Sequence, residues 1–372
     1  MPIFMDRHDV SGVTAKGAAE AHGKDLEIQE EYGCNCMTYW VDEDRENVFC
    51  LIDAPDIKAV KDMHRRAHGL IPHAIVEVDS NLVKAFLGRI HDPVHSKRNR
   101  VTEISIFNDP AFRSLLVADL KDKALFACKY GRERSHELIK KFNHLMEQAA
   151  KSFKGSTVEK YNEFLISFTS VTNAVDCAIK LQELIKSQNL HKDLPKVELQ
   201  IGITAGVPLT DSNNLFGDAV EMARSLRFIA HSSHIKTTAI IKDLYKGRAP
   251  QLFDDYQQIR TLNKNEEHFL HSLINVIHQA LSDNNFNITQ FSKQIGVSKS
   301  QLYRKTVNLT GLSPNDFFHE IRLDKAVKLM YFQNKSIAET SYLLGFASPS
   351  YFTKCFKKRF NVLPVDFCKS IA

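Results

Sequence analysis

The stretch that most constrains this chain is a repeat near its C-terminal end. Residues 296–317 (GVSKSQLYRKTVNLTGLSPNDF) run alongside residues 345–367 (GFASPSYFTKCFKKRFNVLPVDF). Ser298, Ser300, Leu302, Pro314 and Phe317 return fifty positions on as Ser348, Ser350, Phe352, Pro364 and Phe367. Each copy follows a short stretch of helical spacing, residues 288–295 and 337–344. Gly296 and Gly345 supply a tight turn at positive φ, and Ser298 and Ser348 then cap the next helix. The pattern predicts two helix-turn-helix units. The second helix of such a unit enters the major groove by its first turn. Candidate DNA contacts are therefore Ser298, Lys299, Ser300, Gln301 and Arg304 in the first unit. In the second they are Ser348, Ser350, Tyr351 and Lys354. Arg304 and Lys354 share a helix face with Gln301 and Tyr351, three residues earlier. Lys357, Lys358 and Arg359 are placed for phosphates.

The rest of the chain must accommodate an acidic start. Residues 1–90 hold 10 Lys+Arg against 16 Asp+Glu, residues 91–263 hold 25 against 20, and residues 264–372 hold 14 against 8. A basic end suits a phosphate backbone and an acidic end suits cations. Length 372 predicts two or three domains. Ordinary apolar and charged fractions exclude wholesale disorder and collagen-like repeats. No apolar run approaches the ~20 residues that span a bilayer. The start, MPIFMDRHDV, lacks the pattern of a signal peptide. Seven scattered cysteines read as free thiols. A cytoplasmic protein is expected. Polar, aperiodic stretches at 91–99 and 247–264 divide it into domains at 1–90, 101–247 and 266–372.

The third block resembles the DNA-binding domain of AraC-type transcription regulators, over about 105 residues. The second unit, IAETSYLLGFASPSYFTKCFKK, follows that family's pattern almost throughout. The one departure is Asn361, where the family has glycine. Asn tolerates the left-handed conformation best after Gly. The resemblance implies an all-α double helix-turn-helix, its units joined by a long helix over about 314–332. Its partner is double-stranded DNA. A homodimer would set paired tails on half-sites spaced by turns of the duplex.

The first block alternates differently. Residues 3–8, 37–41, 48–52 and 74–78 are strand candidates. Residues 14–32, ending at Gly33, and a stretch from Pro55 to near Gly69 have helical spacing. The order βαββαβ is the ferredoxin-like split unit, an α+β fold. Five histidines fall within residues 1–73. His64 and His68 are four apart on a helix and share a face. Asp6 and His8 share a strand face. His22 lies in the first helix, and Cys50 in a central strand offers a soft donor. Imidazole with occasional thiolate suits nickel, zinc or copper. MDRHDV, AHGKDLEIQEEYG, TYWVDE, VFCLIDAP and MHRRAHGLIPHAIVEVD resemble a small family of ferredoxin-like proteins described as nickel-binding. That resemblance implies a metal site on His8, His22, His64 and His68, with Asp6 and Cys50 beside them. A metal-free core or a small organic ligand is the competing reading. Cys34 and Cys36, and the single Trp40, read as structural.

Residues 114–247 form an α/β block and resemble class III nucleotidyl cyclase domains, through SLLVADL, EFLISF, CAIKLQ and LQIGITAGVPL…NLFGDAVEMA. That family holds two metals on two acidic residues. Asp119 falls where the first stands, and Asn162 takes the place of the second. Glu221 and Ser225 replace its transition-state Asn and Arg, while Arg224 and Arg227 are out of register. The block is expected to be a degenerate scaffold rather than an enzyme. Three functions remain open: a metal- or ligand-sensing transcription regulator, a cyclase fused to a DNA-binding tail, and a metal-storage or delivery protein.

Overall fold

The computed structural model describes residues 1–93, 97–98, 105–159, 163–189, 196–210, 214–230, 234–247, 250–253 and 258–371. Parts of both expected domain boundaries (94–96, 99–104, 248–249 and 254–257) and Asn162 lie outside the described residues.

The N-terminal part begins with β1 (Ile3–Asp9), α1 (Ala15–Ile28), β2 (Asn35–Asp42), β3 (Asn47–Asp53), α2 (Ile57–Ala67) and β4 (Ala74–Val78). The helices start where capping side chains meet orphan amides. Thr14 accepts from the N–H of Gly17 and Asp56 from that of Ala59. Pro55 therefore precedes the second helix rather than opening it. The four strands pair antiparallel in the order β2-β3-β1-β4, as a βαββαβ unit requires. Strand alternation sends Phe4, Val48, Cys50 and Ile52 toward Ala18, Ala19, Val60 and Met63 on the two helices. The other face, with Met5, Trp40, Phe49 and Leu51, joins a second core containing Leu115, Val117, Leu165 and Phe216. The sheet is thus covered on both sides.

A helix that the sequence reading passed over, α3 (Ser80–Leu87), follows. Asp79 caps it, and Gly88 ends it at φ 85°. In the expected linker, β5 (Lys97–Arg98) pairs antiparallel with β6 (Ser105–Ile106) just beyond it.

The middle part holds β7 (Arg113–Leu120), α4 (Phe126–Tyr130), α5 (Arg132–Ser152), β8 (Ser156–Glu159), β9 (Phe164–Phe168), α6 (Val171–Asn189), β10 (Leu199–Gly206), α7 (Gly217–Phe228), β11 (Ile235–Thr237), α8 (Ala239–Leu244) and β12 (Ile259–Thr261). The strands form one six-stranded mixed sheet in the order β12-β11-β10-β7-β9-β8. This is the α/β block expected from the sequence, and it includes the short β8, β11, α8 and β12, elements of 3–6 residues that are too brief to establish a period. Gly202 in β10 lies directly under α7. A Cβ there would meet the Ala223 carbonyl and the Arg227 amide, so only glycine allows the helix so close. Arg113 ties the first two parts together, donating to the Phe86 and Leu87 carbonyls.

The last part is all helical: α9 (Lys264–Ala280), α10 (Ile288–Ile295), α11 (Lys299–Thr310), α12 (Pro314–Gln333), α13 (Ile337–Leu343), α14 (Pro349–Phe360) and α15 (Pro364–Ile371). The turn chemistry read from the repeat is realised. Gly296 and Gly345 sit at φ 76° and 64°, Ser298 and Ser348 cap α11 and α14, and Asn361 ends α14 at φ 59°. Arg322 of α12 is buried and donates to the carbonyls of Ala280, Leu281 and Asp283 at and just past the end of α9. Its guanidinium lies 4.2 Å from the Phe318 ring and 5.7 Å from that of Phe346, so one side chain touches both units.

The helical part is seated on the middle sheet. Leu226 and Ile229 share a core with Phe269, Leu270 and Leu273 of α9. Arg260 donates to the Asn308 carbonyl of α11, and Arg132 to the Lys369 carbonyl of α15. No described helix is long and apolar enough to cross a membrane.

Candidate functional site

In the N-terminal part, β1 brings Asp6 and His8, α1 brings Asp25, and α2 and its C-cap bring His64 and His68 to one place. His64 is fully buried, with a carboxylate against each ring nitrogen. Nε2 lies 2.8 Å from Asp6 Oδ2 and Nδ1 lies 3.1 Å from Asp25 Oδ1. His68 Nε2 stands 3.1 Å from His64 Nδ1 and 3.3 Å from Asp25 Oδ1. His8 Nε2 is 3.4 Å from Asp6 Oδ1 but makes no hydrogen bond. Two donor triads result, Asp6–His8–His64 and Asp25–His64–His68, and they share His64.

The electrostatics follow from burying two carboxylates among imidazoles. Burial disfavours charge on all of them. On His64 the nearby Asp6 and Asp25 outweigh it and raise the pKa to about 10. Burial would likewise raise Asp6 and Asp25, yet their histidine neighbours hold both below the usual carboxylate range. The set fits a divalent transition metal. It offers imidazole and carboxylate donors at mutual distances of ligand order, and one buried ring nitrogen, His8 Nε2, makes no hydrogen bond. Bound there, a metal would take the place of protons shared within the network.

Two sequence candidates stand apart from both triads. His22 is buried, its ring 5.1 Å from that of Tyr39, and burial lowers its pKa. Cys50 is buried as well. Burial, followed by Asp6, pushes its thiol well above the ordinary value. Its backbone N–H donates to Asp6 at 3.1 Å. Both line a cavity of about 270 Å³ beside His8, Asp25 and His68. Asp25 is the residue the sequence reading missed. The signal was present: Asp25 follows His22 by three on the same helix and so shares its face.

On the helical part, Lys299, Ser300, Gln301 and Arg304 are exposed on α11, as are Ser350, Tyr351, Lys354, Lys357 and Lys358 on α14. The side chains of Lys299, Arg304, Lys354, Lys357 and Lys358 make no ion pair among the described residues. Ser298 and Ser348 use their hydroxyls as caps, accepting from the amides of Gln301 and Tyr351. The Gln301 carboxamide is turned back to the Ser298 N–H at 3.2 Å. Arg359 departs from its expected role as a phosphate contact. It pairs with Glu320 and, at 3.2 Å, with Asp122 of the middle part. Tyr303, 57% exposed on α11, is a further surface residue that the repeat did not single out.

In the middle part, Asp119 is half-buried and paired with Lys123 at 2.7 Å, and the loss of solvent around its carboxylate raises its pKa. Glu163 is held by Arg224 and by Arg227 at 3.6 Å, and Arg224 also reaches Glu159 at 2.9 Å. The out-of-register arginines are thus tied to carboxylates. Glu221 and Ser225 lie beside them on α7.

These features define a multidomain chain with a ferredoxin-like head and a double helix-turn-helix tail. Residues 4–78 match the family model of the nickel-responsive SCO4226-like proteins, and residues 291–370 match a helix-turn-helix domain model. The chain therefore carries an SCO4226-like domain and an AraC-type helix-turn-helix domain. The solved SCO4226 of Streptomyces coelicolor is 31% identical over 20% of this chain and 94% of its own, with a TM-score of 0.20. The transcriptional regulator MtrA of Neisseria gonorrhoeae is 32% identical over 87 residues, 23% of this chain and 29% of its own. The middle region resembles adenylate cyclase structures. An adenylate/guanylate cyclase/hydrolase from Silicibacter pomeroyi is 22% identical over 37% of this chain and 80% of its own, with a TM-score of 0.31. The chain spans 8% and 52% of the first two curated relatives it matches.

Proposed function

We propose that this chain is a sequence-specific DNA-binding transcription regulator whose N-terminal domain senses a divalent transition metal, nickel first among them. The domains are 1–90, 101–247 and 266–372. The observation that carries the DNA reading is the pair of capped helices, α11 and α14, each presenting exposed cations without ion-pair partners among the described residues. Arg304 reads base edges, and Lys357 and Lys358 meet phosphates. On operator DNA selected from random duplexes, Arg304→Ala is expected to cost ~1–3 kcal/mol and relax base preference. Lys358→Ala is expected to weaken all sequences alike and lower the salt slope by about 1. Unchanged gel-shift titrations for both variants would overturn the assignment.

The metal reading rests on the buried Asp/His network. Coupling requires that the effector bind two conformations unequally, and β1 is placed to transmit such a difference. Asp6 and His8 face the network. Arg7, between them, donates to the Leu209 carbonyl of the middle part at 3.0 Å. Met5 shares a core with Phe216 just before α7, and α7 packs on α9.

The middle part serves as a scaffold rather than a cyclase. Phosphoryl transfer by metal ions needs free carboxylates at the phosphates. Asp119 and Glu163 are instead held by Lys123, Arg224 and Arg227. Incubation with ATP or GTP and magnesium is expected to yield no cyclic nucleotide; accumulation of either product would contradict the scaffold reading.

A further inference from the structure

Asp25 Oδ1, His64 Nδ1 and His68 Nε2 form a triangle with edges of 3.1, 3.1 and 3.3 Å. Hydrogen bonding alone accounts poorly for it. If both ring nitrogens donate to Asp25, the third edge leaves two N–H groups 3.1 Å apart with nothing between them. Three donors bound to one ion at ~2.0–2.2 Å stand about 3.0–3.5 Å apart, so the triangle has the size of one face of a coordination shell. Two imidazoles and a carboxylate on one face leave further positions open. Asp6, at the other nitrogen of His64, is then the carboxylate that fixes its tautomer and orientation.

The open side faces a space. Asp25 and His68 line the cavity of about 270 Å³, together with His8, His22 and Cys50. At ~30 Å³ each it would hold roughly nine waters. The rest of its lining includes Val10, Val13, Ala18, Ala21, Val48 and Leu70, apolar walls that offer a bound ion no further donor. Asp25 and, at the other nitrogen of His64, Asp6 at 2.8 Å already balance a divalent charge, so the open positions call for a small donor molecule rather than a counter-charge. His8 is 4% exposed, and its Nε2 has no hydrogen-bond partner. It lies on the cavity wall, with only the 3.4 Å approach to Asp6 Oδ1 on that nitrogen.

We propose that Asp25, His64 and His68 form an open metal face, and that the cavity admits a small metal-ligating molecule of up to roughly ten non-hydrogen atoms, with His8 as its second contact. The proposal rests on the metal-sensing reading and deepens it: the effector is an ion together with a ligand. The full chain is loaded with Co2+, whose visible absorption changes with its ligands, and titrated with azide. A saturable change in the band is expected. His8→Ala should weaken azide more than cobalt, and Asp25→Asn should lower cobalt affinity by about tenfold or more. Far-UV circular dichroism checks folding, with His68→Gln as the second variant should Asp25→Asn unfold. Bound cobalt with a band indifferent to saturating azide would overturn the open-site proposal and leave metal sensing standing. Failure to bind cobalt at all would overturn both.

Discussion

Phe356→Ala is expected to destabilise the DNA-binding part by ~3–5 kcal/mol and to abolish operator binding. Phe356 is fully buried at the centre of the second unit. Its ring lies 5.6 Å from that of Phe352, 4.7 Å from Phe360 and 6.0 Å from Phe367. The cluster also takes in Leu329 and Met330 of α12 and Leu125 of the middle part. Truncation removes the apolar transfer contribution and leaves a cavity walled by other rings, which cannot collapse without moving α14. The readout is separable by domain. Trp40 is the only tryptophan and lies in the N-terminal sheet, whereas the C-terminal part is helical. Urea unfolding followed at 222 nm should show the helical transition moved to lower denaturant. The transition seen through Trp40 fluorescence should stay close to that of the unmodified chain. A variant that keeps its helical transition and its operator affinity would show that the second unit does not depend on this core.

The residues that made the tail legible act locally. Gly296, Ser298, Ser348 and Asn361 each decide a turn or a cap within a few positions, so their meaning survives without the rest of the fold. The N-terminal strands were legible for a similar reason, since a period of two declares itself within five residues. What stayed hidden depends on distance or brevity. The head's second carboxylate, Asp25, shares the α1 face of His22, but its partner His64 lies 39 positions away, and only the fold brings that face against α2. Arg359 looked like a phosphate contact because Asp122 is 237 positions away. Glu163 sits one residue beyond the place assigned to Asn162, and only the packing of α7 beside it shows that its charge is already occupied. Cys50 was a reasonable soft donor by residue type, and strand spacing cannot convey that it lines one cavity with His8, Asp25 and His68.

The second large effect expected is a dependence of operator affinity on nickel. Allosteric coupling is typically worth ~1–3 kcal/mol, or about 5–150-fold in affinity. The physical route runs from the Asp/His network through β1 to the middle sheet and from α7 to α9. His64 is the residue on which both donor triads depend, so His64→Gln should remove the response, with Trp40 fluorescence confirming that the head remains folded. The direct measurement is the Kd of the full chain for its selected operator, by fluorescence anisotropy at fixed salt, with and without stoichiometric nickel. Nickel is expected to change that Kd by about tenfold in the unmodified chain and to leave it unchanged in the His64→Gln variant. The same Kd with and without nickel, in protein shown to have taken the metal up, would contradict metal sensing by this regulator.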